Sequence, residues 1–200
     1  GLMPQAARVA AALAGAARSL YPDAMSRIGR FDVFVAESPE AGARSSASGK
    51  IAVNAGLGAL KPTDDWLALV LAREMGHVIA GHHADNSTAS LITSVIMNVV
   101  VPGSGLIKSA LSFAGSQIAE SSGQARQVAE ADDIAFRLLG AAGFAPREVA
   151  LSVTLGPDAA QLGTSSWART FLQSAQALVA RVRGRADNLP ATGGLSVVSG

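Results

Sequence analysis

The chain of 200 residues contains no cysteine. That excludes disulfide scaffolds, thiolate metal centres and cysteine nucleophiles, and leaves the redox compartment open. Aromatic residues are scarce at 4%, so the 49% hydrophobic share is carried by Ala, Val, Leu and Ile, a helix-leaning composition. Charged residues make up only 16%, too few beside that apolar share for a disordered chain. The net charge is +1, and the one basic cluster, Arg181, Arg183 and Arg185, reads as a solvated helix face, so no nucleic-acid partner is expected. No charged start followed by an apolar signal core is visible. No uninterrupted apolar run is long enough to span a bilayer either. Residues 91–113 come nearest, but Pro102-Gly103-Ser104-Gly105 cuts them in half and Lys108 lies in the second half. This stretch is expected to form an apolar helical hairpin, buried or, in the alternative, touching a membrane surface or a partner.

What remains fits one domain over 1–187 with a loose Gly/Ser/Pro-rich tail over 188–200. Val9, Leu13, Ala17 and Leu20 recur at helical spacing, so residues 2–20 read as a helix ended by Pro22-Asp23. Phe31 to Ala36 and Lys50 to Ala55 read as strands, paired as an antiparallel hairpin or as neighbours in a small sheet. The Ser/Gly/Ala stretch between them reads as a loop. Pro62-Thr63-Asp64-Asp65 starts a helix, with Thr63 as its cap and two acids in the positive first turn. That helix runs to Gly81, and Arg73, Glu74 and His77 interrupt its apolar stripe. Polar groups in such a place need partners or a purpose. Further helices are read over about 124–139, after Pro146, and over about 165–183.

Leu71-Ala72-Arg73-Glu74-Met75-Gly76-His77 has the frame of a zincin active helix. In that motif two histidines at i and i+4 chelate zinc while the Glu beside the first acts as general base. Here Glu74 and His77 hold the base and second-histidine positions, and Arg73 stands where the first histidine would be. Residues 28–150 resemble, in order and spacing, the gluzincin metallopeptidases of the HtpX and CAAX-prenyl-protease type, small periplasmic relatives above all. Ala131-Asp132-Asp133-Ile134-Ala135-Phe136 and then Gly143-Phe144-Ala145-Pro146 resemble the family's second active-site helix and its exit. The resemblance implies a mainly helical α+β zincin-like fold, with a small mixed sheet beside the active-type helix. It also implies that Ile51, Ala52, Val53 and Asn54 lie in the substrate-binding edge strand.

The departures bear on function. The family's third ligand, a Glu four residues before Asp132, is replaced by Val128. Glu130 sits two positions on, roughly 200° around a helix from Val128. His77 and His82, five apart, are expected to diverge by about 140°, with His82 and His83 exposed at the helix end. No histidine follows His83, so a later active-site histidine is missing as well. Arg73 is expected to pair with Asp132 as a structural substitute for the metal. Glu74 and His77 then serve as hydrogen-bonding groups, and no zinc or other cofactor is expected. The functional expectation is an inactive relative of zinc endopeptidases that binds a peptide or protein in the periplasm or cell envelope. The alternative is a weak or conditional zinc endopeptidase built on His77, Glu74 and Asp132.

Overall fold

The structure, a computed structural model, describes residues 1–82, 95–101, 105–111 and 122–187. The elements in chain order are α1 (Leu2–Leu20), α2 (Pro22–Ile28), β1 (Asp32–Ala36), β2 (Ala43–Ser45), β3 (Lys50–Asn54), α3 (Ala55–Ala59) and α4 (Asp64–Ala80). After these come β4 (Val95–Val101), β5 (Gly105–Leu111), α5 (Ser122–Ala141), α6 (Pro146–Leu155), α7 (Ala159–Leu162) and α8 (Ser166–Asp187). The result is a mainly helical α+β fold with a small mixed sheet. Among the described residues no single helix is long and apolar enough to cross a membrane.

α4 is the spine of the core. Thirteen of its residues are buried, including Leu67, Leu71 and Met75 at 0% exposure, so it is covered on every side and not along a single stripe. α1 lays Val9, Leu13 and Ala17 against it, α5 packs along another face, and α2, α6 and the sheet close the remainder. The start is as its sequence dictates: Thr63 Oγ1 accepts from Trp66 N–H at 3.2 Å. At the other end Gly81 adopts φ +77° and returns its N–H to the His77 and Val78 carbonyls. Arg27 from α2 donates to the Val78 and Ile79 carbonyls at 3.1 and 3.2 Å, satisfying acceptors that the last turn leaves open.

The sheet runs β1–β3–β2. β1 and β3 are parallel, with Val33 opposite Ile51 and Val35 opposite Val53, and do not form an antiparallel hairpin. The chain between them supplies β2, a strand within the stretch expected to be a loop; it pairs antiparallel to β3, with Ala43 opposite Val53 and Ser45 opposite Ile51. β3 is therefore hydrogen-bonded on both sides. Ile51, Ala52, Val53 and Asn54 form the central strand and not the edge, and their backbone cannot take up a peptide. The reason is visible in the burial: Ile51 and Val53 are sealed at 0% exposure, which suits a strand flanked by two others.

The 91–113 stretch also departs from expectation. Its described residues form the antiparallel strands β4 and β5, from Val95 opposite Leu111 to Val101 opposite Gly105, and not a helical hairpin. Val95, Ile96, Val99, Val100, Val101 and Ile107 are β-branched, which favours extended backbone over helix. β4 lies alongside β1. The 188–200 tail and His83 lie outside the described residues.

Candidate functional site

The polar residues of α4 gather where α4, α5, α8 and β2 meet. Gly76 makes this approach close: a Cβ there would come within 2.4 Å of the Ala131 carbonyl oxygen, so only glycine lets α5 press so near. That contact lays Asp132 beside Arg73.

Arg73 is 2% exposed and Asp132 7% exposed. Arg73 Nε lies 3.7 Å from Asp132 Oδ1 and donates a 2.8 Å hydrogen bond to Ser174 Oγ of α8. Ser174 Oγ–H in turn donates to the Thr170 carbonyl at 3.2 Å. The guanidinium stands 5.6 Å from the Phe171 ring centroid, which stacks on Trp167 at 5.1 Å and tilts against Trp66 at 4.8 Å. Arg73 Nη1 and Asp132 Oδ1 have no hydrogen-bond partner among the described residues. The pair is held by charge attraction in a place water does not screen. Burial pulls the Arg73 guanidinium below its ordinary range, against the raising influence of Glu74 and Asp132. Burial pushes the Asp132 carboxyl up, while Ser174, Arg73 and Arg181 draw it back.

Glu74 is 7% exposed and accepts a 2.9 Å hydrogen bond from Ser45 Oγ of β2. Burial raises its pKa, opposed first by Arg73, then by Ser45, Trp167 and Arg44. The carboxylate that the motif marks as a base thus ties the active-type helix to the outermost strand of the sheet.

The histidines are arranged differently from expectation. His82 is buried at 4% exposure and its Nδ1 lies 3.0 Å from His77 Nδ1. The rings meet edge-on, with centroids 5.2 Å apart. His82 Nε2 is 3.0 Å from Glu130 Oε2. Helical phase would separate the two histidines, but the left-handed turn at Gly81 lifts His82 off the helix and folds it back. Sequence reasoning missed this contact, and with it Ser174, Phe171 and Trp167. Gly81 was a signal for the former; nothing local marks the latter, since Ser174 is 101 residues from Arg73.

A catalytic zinc needs three converging protein donors and an open position. Arg73, at the first ligand position, carries only donor N–H groups and a fixed positive charge. Val128, at the third, is half-buried and has no donor atom. Among the described residues no group of three or more His, Asp or Glu side chains gathers to hold a metal ion. The residues present do not fit a zinc at the family's position.

Residues 5–183 match the family described as Peptidase family M48. The chain is 31% identical over 126 residues to the metalloprotease LoiP of Escherichia coli strain K12, an alignment covering 61% of this chain and 49% of that protein. The chain thus spans about half the length of the curated relative it matches. No solved structure matches it significantly.

Proposed function

The chain belongs to peptidase family M48, and from that premise we propose that it is a peptide-binding protein that keeps the family's fold without its hydrolytic metal. The observation that carries this reading is Arg73, buried in the first ligand position and set 3.7 Å from Asp132. A guanidinium there repels a divalent cation and supplies no lone pair. With no metal-activated water, Glu74 has nothing to deprotonate, and its bond to Ser45 is its work.

Peptide binding rests on the outer side of β2. Among the described residues no strand pairs there. The Asn54 N–H to Gly42 carbonyl and Ser46 N–H to Lys50 carbonyl bonds set the ladder's alternation. Arg44 therefore bonds inward to β3, and the Ala43 N–H points to the outer side, where the residue is only 3% exposed, so a peptide has to displace what covers it. An extended segment that displaced this cover would add antiparallel to β2 at the Ala43 N–H and lie beside α4. A cell-envelope location belongs to the same proposal and is supported by the resemblance alone.

Fluorescein-labelled β-casein, an extended polypeptide, is a suitable probe by anisotropy in excess EDTA. The expected result is saturable binding without metal, weakened about tenfold or more in Ala43→Pro, which removes one outward N–H and no ladder bond. Failure to bind in EDTA, or equal binding by a folded Ala43→Pro, contradicts the reading.

A further inference from the structure

We infer that the Trp167 indole is a displaceable cover over β2: it closes the strand's outer side in the free protein and swings aside when an extended peptide pairs there. This rests on the peptide-binding reading and names what a peptide must displace.

The indole lies along β2. A Cβ on Gly42, the residue before the strand, would stand 3.9 Å from Trp167 Cδ2, an ordinary van der Waals contact. At the strand's other end Ser45 Oγ donates to Glu74 at 2.9 Å, and Trp167 is among the groups that draw the Glu74 carboxyl down. Trp167 therefore reaches from the residue before β2 to the carboxylate tied to its last residue. β3 holds the inner side, which leaves the indole where an added strand would come. An outermost strand ordinarily shows its unpaired row to solvent, yet Ala43 is only 3% exposed.

The ring is held by packing and not by a hydrogen bond. It stacks on Phe171, with centroids 5.1 Å apart and planes 10° from parallel. Its N–H is buried and makes no hydrogen bond of proper geometry among the described residues. Swinging out thus breaks no hydrogen bond, and it gives to water a donor that the closed position leaves without an acceptor. Trp167 as a whole is half-buried, whereas Phe171 behind it is 1% exposed.

The backbone around Trp167 allows the movement. Trp167 is the second residue of α8, and the chain before it is lightly anchored. Within α7 only Leu162 is buried, and Gly163 turns at φ +82° with nothing within 4 Å of its Cβ position. Among Ser166–Arg169 only Ala168, a small side chain, is buried. Further along, Phe171, Ser174 and Leu178 are at most 1% exposed, and Ser174 takes the Arg73 bond. The start of α8 can give while the rest stays on the core.

A cover that must open first lowers apparent affinity by the fraction of time it is open. Two measurements on the whole chain test this, both with β-casein in excess EDTA. By anisotropy, Trp167→Ala should bind labelled casein about tenfold more tightly than the parent protein, whereas truncating a residue that merely shapes the site weakens binding. The second is ¹⁹F NMR of protein labelled with 5-fluorotryptophan, which reports Trp66 and Trp167 alone, with Trp66→Phe assigning the two signals. Unlabelled casein should give the Trp167 signal a solvent isotope shift and give none to Trp66, which is 1% exposed. The NMR decides the matter if Trp167→Ala does not fold. A Trp167 signal that gains no isotope shift in the complex, or a folded Trp167→Ala that binds no more tightly, overturns the cover and leaves peptide binding standing. Casein bound by neither protein removes peptide binding and the cover together.

Discussion

Arg73 is the residue on which the molecule's chemistry turns. A buried ion pair contributes little net stability against an apolar pair of the same shape, but losing one partner strands the other charge. Arg73→Met alone should therefore cost about 3–5 kcal/mol by chemical denaturation, because Asp132 remains charged and buried. Arg73→Met with Asp132→Leu should recover most of that loss. Equal losses in the single and double variants would show that the pair is not coupled. Glu74 gives a second test, through pH. Burial holds its carboxyl above the ordinary range in the folded protein, so the folded state keeps a proton that the unfolded chain has released. Stability from this group is full below the unfolded pKa and is lost as pH rises through the folded one. The advantage in Tm of Glu74→Gln over the parent protein should thus grow as pH rises above about 4, the unfolded value. A constant or shrinking difference contradicts that environment. At this scale the motif frame made Arg73, Glu74 and Asp132 legible in sequence, because one helical face and one fixed spacing carry them. Ser174 and Phe171 were not legible, because only the packing of α8 brings them in.

Among the elements, the α4–α5 contact is the most demanding. Alanine in a helix is favoured over glycine by about 1 kcal/mol, yet a Cβ at Gly76 would strike the Ala131 carbonyl oxygen at 2.4 Å. Backbone cannot yield as a side chain would, so Gly76→Ala should destabilise by about 1–3 kcal/mol. Gly140, also helical, has nothing within 4 Å of its added Cβ. Gly140→Ala should be neutral or stabilising by up to about 1 kcal/mol, and the same sign for both glycines would refute the close approach. Helices were read well here because period and caps are local: Thr63 and Gly81 bracket α4 in sequence as in structure. Strand order was not, since alternation says nothing about which neighbours a strand takes. Hence β3 passed for an edge, and β2 was hidden among Ser, Gly and Ala. Of the 91–113 stretch, residues 95–101 and 105–111 form strands where a helical hairpin is expected, because an apolar run fits a buried helix and a strand alike and β-branching favours the strand.

For the molecule as a whole, fold class follows from composition and order: an apolar α4 that must be covered all round, Ala-rich helices that can do so, and two short strands, Asp32–Ala36 and Lys50–Asn54, beside them. Function depends on whether that scaffold still carries out metal-assisted hydrolysis. The scaffold itself is independent of the question, because Arg73, Asp132 and Ser174 tie α4, α5 and α8 together through protein atoms alone. The most direct measurement is mass spectrometry of β-casein after prolonged incubation with the protein in Zn²⁺, beside the same incubation in EDTA and with Glu74→Gln. The account predicts intact casein in all three. Fragments that form in zinc and vanish with EDTA and with Glu74→Gln would mean that the metal and the base still act together, and would contradict it.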